Sequence, residues 1–264
     1  MHAFPIFKDQ IFYARTYRHL RFQLRECLTF TLLLVMPLTV VFLFFYDELT
    51  VLMVSAAAWF LGCSSGIPSQ VLHAEFIPAL GQVAYLSLDG ALPSLESVLL
   101  NMAAVLLLTW LLTLAPFRGK PLSVYLEISL FVHLTACVFF LLGKDIFPYS
   151  LTDYSRLYSQ QQVGIWLAFL ILMGLVQGIL GRGSVLFRLA ITAALLLYSF
   201  FFGILRYCLF LWILRQCSLL YLPVMFFTLG PAFDFLYFVM FYALSANPMI
   251  RKNENRLKND WAWS

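Results

Sequence analysis

Charge is scarce in this sequence: 11% of its 264 residues are Asp, Glu, Lys or Arg, while 62% are hydrophobic. A soluble domain carries roughly 25% charged residues, so an ordinary water-facing fold is excluded. Cysteine supplies no framework either. Cys27, Cys63, Cys137, Cys208 and Cys217 are an odd set without CxxC or CxxxC spacing, which reads as small buried residues rather than a disulfide or metal scaffold. Walker A, the dinucleotide-binding glycine pattern, HExxH, GxSxG and CxxCH are all missing, so no cofactor is expected and nucleotide-driven work would need another chain. No cleavable signal peptide is evident. The formal net charge of +4 sits largely in short loops, where it sets orientation and gives no argument for nucleic acid.

What is present is apolar runs close to the roughly 20 residues that cross a hydrocarbon core as a helix. The class is therefore an all-α polytopic transmembrane helix bundle, residues 1–264 forming a single membrane domain. Residues 1–25 form a basic interfacial helix, 26–246 the bundle and 247–264 a basic cytoplasmic tail. Tyr13, Tyr17, Leu20 and Leu24 recur at helical steps, with Lys8, Arg15, Arg18, Arg21 and Arg25 on roughly the opposite side, as in a helix lying on anionic headgroups or docking a partner. A first helix is expected over Cys27–Tyr46 with a kink at Pro37. An acidic turn follows at Asp47-Glu48, then a second helix from Thr50 to Cys63. Further spans are expected at 97–116, 122–143, 163–181, 189–205 and 219–245, with 144–162 as a polar connection.

The stretch Ile67–Pro93 decides the count. Pro68, Pro78, Gly81 and Pro93 interrupt it, and His73, Glu75 and Gln82 polarise it. Basic clusters at 8–25, 118–120, 182–188 and 251–258 all prefer the cytoplasm. An even number of crossings must then separate the first two clusters, which a broken helix over 67–88 would supply. The expectation is about eight spans, or seven if 67–88 is re-entrant, with both termini cytoplasmic. Short loops without an Asn-x-Ser/Thr site suit a bacterial inner membrane.

Ionisable groups at membrane depth usually line a cavity or the bundle interior. The candidates for a polar pathway are His73, Glu75, Gln82, Glu127, His133 and Asp234. On a helix His73 and Glu75 would point apart. His133 reads as a residue hydrogen-bonded between helices, and Asp234, just after Pro231, needs Arg206 or Arg215 as its partner. Gly62 with Gly66, and Gly174 with Gly178, are small-xxx-small pairs suited to close helix packing. No catalytic or metal-ligating set is assigned.

The basic helix ending RHLRFQLRE, a hairpin closed by Asp47-Glu48, and the segment Glu75…Gly81…Leu86 together resemble the front of an ABC-2-type exporter permease, over about the first 115 residues. The resemblance implies six spans, a cytoplasmic Glu75–Leu86 segment that meets an ATPase, and Arg118 and Lys120 outside. The function expected is an integral membrane subunit of a multi-protein translocation or export system without its own energy-coupling domain. Its partners would be the lipid bilayer and other subunits, among them an ATPase. The alternatives are an intramembrane enzyme acting on a lipid or lipid-linked substrate, and a non-catalytic assembly subunit.

Overall fold

The structure is a computed structural model that describes residues 24–66, 69–78, 81–114, 120–180 and 184–257. Leu24–Phe30 and Met36–Ser65 run as one helix, α1, through a π turn at Thr31–Val35. A β-hairpin follows, β1 (Gln70–Ile77) pairing antiparallel with β2 (Gly81–Ser87). Next come α2 (Leu95–Leu112), α3 (Pro121–Gly143), α4 (Leu151–Leu180) and α5 (Val185–Gln216). The last helix, α6, begins in a 3₁₀ turn at Leu219–Tyr221, passes through Leu222–Val224 and a π turn at Met225–Leu229, and continues as Gly230–Leu257. The expected interfacial helix, with Arg15, Arg18 and Arg21, lies outside the described residues, and of Arg25 only the backbone is described.

Six of these helices are long and apolar enough to cross a membrane. The window in Cys27–Cys63 has the highest mean hydropathy, 2.5, yet is only 11% buried. In water that would be reversed, since the most apolar segment would be the most enclosed. Leu33, Phe44, Leu100, Phe131 and Leu186 are each at least 66% exposed, which is a lipid-facing surface. The chain is an integral membrane protein.

Two expectations about span number are corrected. Asp47-Glu48 is not a turn: α1 continues through it, and Thr50 Oγ1 donates to the Asp47 carbonyl at 2.8 Å within the same helix. Residues 67–88 are not a broken helix, because prolines at 68 and 78 and Gly81 leave no stretch long enough for three helical turns. The short Val-, Phe- and Tyr-bearing pieces between them pair as strands instead. Gly81 is required at the hairpin tip, where an added Cβ would lie 2.9 Å from the Tyr46 hydroxyl. Two further stretches differ from expectation. The polar segment 151–162 is the start of α4, with Tyr154, Tyr158 and Gln162 on one buried stripe, and α5 runs unbroken through Arg206.

Pro37 and Pro231 follow the same device. Pro37 comes two residues after one π turn and Pro231 two residues after the other. A proline ring collides with the carbonyl four residues back, and the wider π turn relieves that collision without stopping the helix. The kink expected at Pro37 takes this form.

α1 and α4 run antiparallel in close contact. A Cβ on Gly174 would overlap Val35, and one on Gly178 would meet Cys27 Sγ at 3.1 Å, so this glycine pair does pack helices. Gly62 and Gly66 have nothing within 4 Å of a Cβ position, and Gly66 instead ends α1 at φ 59. The span Cys27–Cys63 is 37 residues long, about 55 Å at ~1.5 Å per residue. A hydrocarbon core of ~30 Å crossed at a tilt of up to ~40° takes about 40 Å of it. One end must therefore project, and the hairpin packs beside the half of α1 that carries Asp47-Glu48. This is the hairpin end of the molecule, and residues 24–27 lie at the opposite, basic end.

Candidate functional site

β2 is inserted between helices and β1 is not. Val83, Ala84 and Leu86 are fully buried against α1 and α4, whereas Val71, Leu72, His73 and Glu75 are exposed. Hydroxyls seal the outer edge of β2. Ala84 N–H donates to Thr50 Oγ1 at 3.2 Å, Leu86 N–H to Ser155 Oγ at 2.9 Å and Tyr207 OH at 3.1 Å, and Leu88 N–H to Thr152 Oγ1 at 3.1 Å. These bonds are why α4 carries Thr152 and Ser155 inside an otherwise apolar bundle, since a buried strand edge without acceptors is costly.

Tyr207 leads from the hairpin into a polar centre. Its ring stacks on Tyr158 at 4.9 Å. The Tyr158 hydroxyl donates to the Gly203 carbonyl at 3.0 Å and accepts from Arg206 Nε at 2.8 Å. Arg206, 3% exposed, donates through Nη1 to the Gly230 carbonyl at 2.9 Å and through Nη2 to Gln162 Oε1 at 3.0 Å. Its counter-ion is Asp234, with Nη1 and Oδ1 2.8 Å apart. Tyr237 donates to the same Oδ1 at 2.7 Å and meets Ser199 at 2.9 Å, and Gln162 Nε2 reaches Ser199 Oγ at 3.3 Å. Gly203 is where α5 makes room: an added Cβ would press on the Gln162 amide at 3.1 Å.

Such a pair persists away from water only because the charges neutralise each other and the guanidinium is bonded on all sides. One acceptor is left over. Asp234 Oδ2 is buried and has no hydrogen-bond partner, so the centre holds an unused acceptor on an ionisable side chain. It also sits beside the Met225–Leu229 π turn, whose next residue, Gly230, supplies one of Arg206's acceptors.

The remaining candidates fall in three places. His73, Glu75 and Gln82 are exposed on the hairpin, and Glu75 faces Gln82 across the ladder. A strand alternates its faces at every residue, so His73 and Glu75 share the face that a helix would have denied them. His73 lines an open cleft of ≈ 490 Å³ with Asp47, Glu48, Val51, Leu52 and Ser55 of α1. Glu127 is exposed on α3. His133 is buried between helices, stacked on Tyr221 at 5.0 Å, with Nε2 3.3 Å from Asn101 Oδ1, which also accepts from Tyr221 OH at 2.7 Å. Of the six pathway candidates only Asp234 enters the buried centre, and of its two candidate partners Arg206 is the one it meets. Gln162, Ser199, Tyr207 and Tyr237 were not singled out, and Tyr158, which with Phe147, Tyr149 and Tyr154 reads as an aromatic set at the headgroup level, is buried in the centre instead. The one sequence signal of that is the i, i+4 repeat of Tyr154, Tyr158 and Gln162 in a stretch taken for a loop.

Among the described residues no group of three or more His, Cys, Asp or Glu is placed to hold a metal ion, and all five cysteines are free thiols. Fold and site together define a polytopic α-helical membrane protein with a buried ion-pair centre and an inserted β-hairpin. Comparison with known families, with characterised proteins and with solved structures finds no match.

Proposed function

We propose that the chain is a membrane subunit of a multi-protein translocation or export system, without an energy-coupling domain of its own, and that the Arg206–Asp234 centre is its moving part. One observation carries the reading: a buried ion pair with a spare carboxylate oxygen, set against a proline-flanked π turn. Broken helices beside buried charge are how transporters build sites that open and close. A π turn can return to α-helical hydrogen bonding by shifting one residue, which would move the Gly230 carbonyl and Asp234 relative to Arg206.

Orientation follows from charge. With six crossings, Arg25, Lys120, Arg188 and the tail at 251–258 fall on one side, which the positive-inside preference makes cytoplasmic. The hairpin then faces the opposite compartment, in a bacterial cell the periplasm. A narrower form of the proposal is an ABC-2-type exporter permease, with six spans and arginines of residues 8–25 meeting an ATPase. That family's acidic-then-glycine segment is cytoplasmic, whereas here one span separates the hairpin from the basic residues, so the side on which Gln82 can be labelled decides this form.

The test is affinity purification of the full chain from its native membranes in mild detergent, beside a variant with Arg15, Arg18, Arg21 and Arg25 changed to Ala. The export reading expects a nucleotide-hydrolysing partner with the native chain and its loss from the variant. A chain that purifies alone and turns over a phospholipid by itself sinks the reading in favour of an intramembrane enzyme.

A further inference from the structure

The two edges of the hairpin are treated differently. In an antiparallel pair, residues that do not bond each other turn their N–H and C=O groups outward. Ala84 and Leu86 donate away from β1, to Thr50, Ser155 and Tyr207. Their partners across the ladder are His73 and Val71, which must therefore point their own N–H and C=O groups outward, as must Glu75 by alternation. Nothing among the described residues accepts or donates there. The edge is unguarded along its length: β1 has no Lys and no internal Pro, and the register irregularity lies only near the tip, between Glu75 and Ile77. Edge strands left in that state pair with another strand.

α1 holds the sealed edge through Thr50 and also lines the cleft that His73 faces. Glu48, Leu52, Ser55 and Trp59 follow helical steps along one side, and Leu52 and Trp59 are 57% and 70% exposed. Leu52 lines the same cleft as His73, so this side of α1 faces the space beside the strand. The charge is one-sided. From Arg25 to Arg118 the chain has no Lys or Arg between them, while Asp47 and Glu48 line the cleft with His73 and Glu75 follows two residues along the same strand.

We infer that β1 and the exposed side of α1 form a docking groove for an extended, lysine- or arginine-bearing strand of a partner protein. The strand would add to the outward groups of Val71, His73 and Glu75. Its cationic side chains would meet Asp47, Glu48 and Glu75, and its apolar ones would cover Leu52 and Trp59. Main-chain bonding of this kind gives affinity, and alternate side chains give selectivity. The inference rests on the subunit reading for there being a partner at all, and names where that partner binds and what it looks like.

The experiment uses the full chain in lipid nanodiscs and a dye-labelled peptide alternating valine and lysine, read by fluorescence anisotropy. Amide hydrogen exchange is followed at Val71 and His73. Binding is expected, with slowed exchange at those two amides. It should fall at least about ten-fold when the peptide is N-methylated along both edges, since main-chain hydrogen bonds carry the affinity. His73→Pro, which removes one outward donor without touching the bonds to β2, should weaken binding where His73→Ala does not. Asp47→Asn with Glu48→Gln should remove the preference over a valine–glutamate peptide. Equal binding of the N-methylated or the glutamate peptide overturns the proposal. So does disulfide dimerisation of a His73→Cys chain in a Cys63→Ser, Cys217→Ser background, which would make the occupant a second copy. The assay contains no ATP and no translocated substrate. Its failure removes this groove alone, and a chain that purifies without a partner ATPase removes the export reading alone.

Discussion

Replacing Asp234 by Ala while leaving Arg206 in place tests whether the centre is held by its charge balance. At 2.8 Å the pair's gross attraction is about 6 kcal/mol with an effective dielectric of ~20. Desolvation of both groups offsets most of that, so the intact pair contributes little net stability. The two changes are therefore unequal. Asp234→Ala strands a guanidinium that is 3% exposed, keeping Tyr158, Gln162 and the Gly230 carbonyl as neutral partners, and should cost about 3–5 kcal/mol. Arg206→Met with Asp234→Ala removes both charges and should restore all but about 1–2 kcal/mol, the remainder being the cavity and the orphaned Tyr158 and Gln162 groups. The assay is reversible unfolding of the purified chain in mixed micelles, followed by helix content. Equal destabilisation by the single and double variants would refute the reasoning, because it would mean that packing, and not charge balance, holds these helices together.

Gly174→Ala forces a methyl into Val35 and should cost about 1–3 kcal/mol, recovered in the same unfolding assay by a second change, Val35→Ala. Tyr207→Phe removes one acceptor of the Leu86 amide. Amide exchange at Leu86 should quicken by about ten-fold, a loss of ~1 kcal/mol or slightly more, while Ala84, held by Thr50, stays unchanged. Asn101→Leu leaves Tyr221 OH and His133 Nε2 without their shared acceptor and should cost about 1–3 kcal/mol; a change within error would show that the ring stacking alone holds α3 to the start of α6. Single cysteines at Gln82 and Lys120, in a Cys63→Ser, Cys217→Ser background, should react with an impermeant reagent from opposite sides of the membrane, as six crossings require.

The helical membrane class was legible because it depends on composition and run length, which the bilayer fixes directly. The two segments that were misread failed for local reasons. Asp47-Glu48 looks like a turn only if charge is assumed to end a helix. α1 carries both acids without breaking, so a charged pair does not by itself end a helix. Residues 67–88 contain no charge run and no strong alternation, and their prolines shorten every helical stretch without by themselves pairing the pieces as strands. What selects strands is tertiary: Thr50, Thr152, Ser155 and Tyr207 accept the outward N–H groups of β2, and none of them is near it in sequence. The buried centre was half legible. Asp234 after Pro231 stood out as an acid in an apolar helix, with Arg206 as one of two candidate partners, but Tyr158 and Gln162 lie in a stretch that hydropathy treats as connection, and Ser199 and Tyr237 carry no charge to mark them.

The two errors cancel in the count of crossings that the charge argument uses. Merging the first two expected helices into α1 removes one crossing between the clusters at 8–25 and 118–120. Folding 67–88 back as a hairpin removes another. The parity between those clusters depends on the sum, and both losses together leave it even. Parity constrains topology without specifying which segments cross, so agreement of the basic clusters supports sidedness and is silent about architecture. Segment 67–88 therefore has to be located by what bonds its backbone. On that criterion it is a hairpin sealed on one edge by the bundle and open on the other.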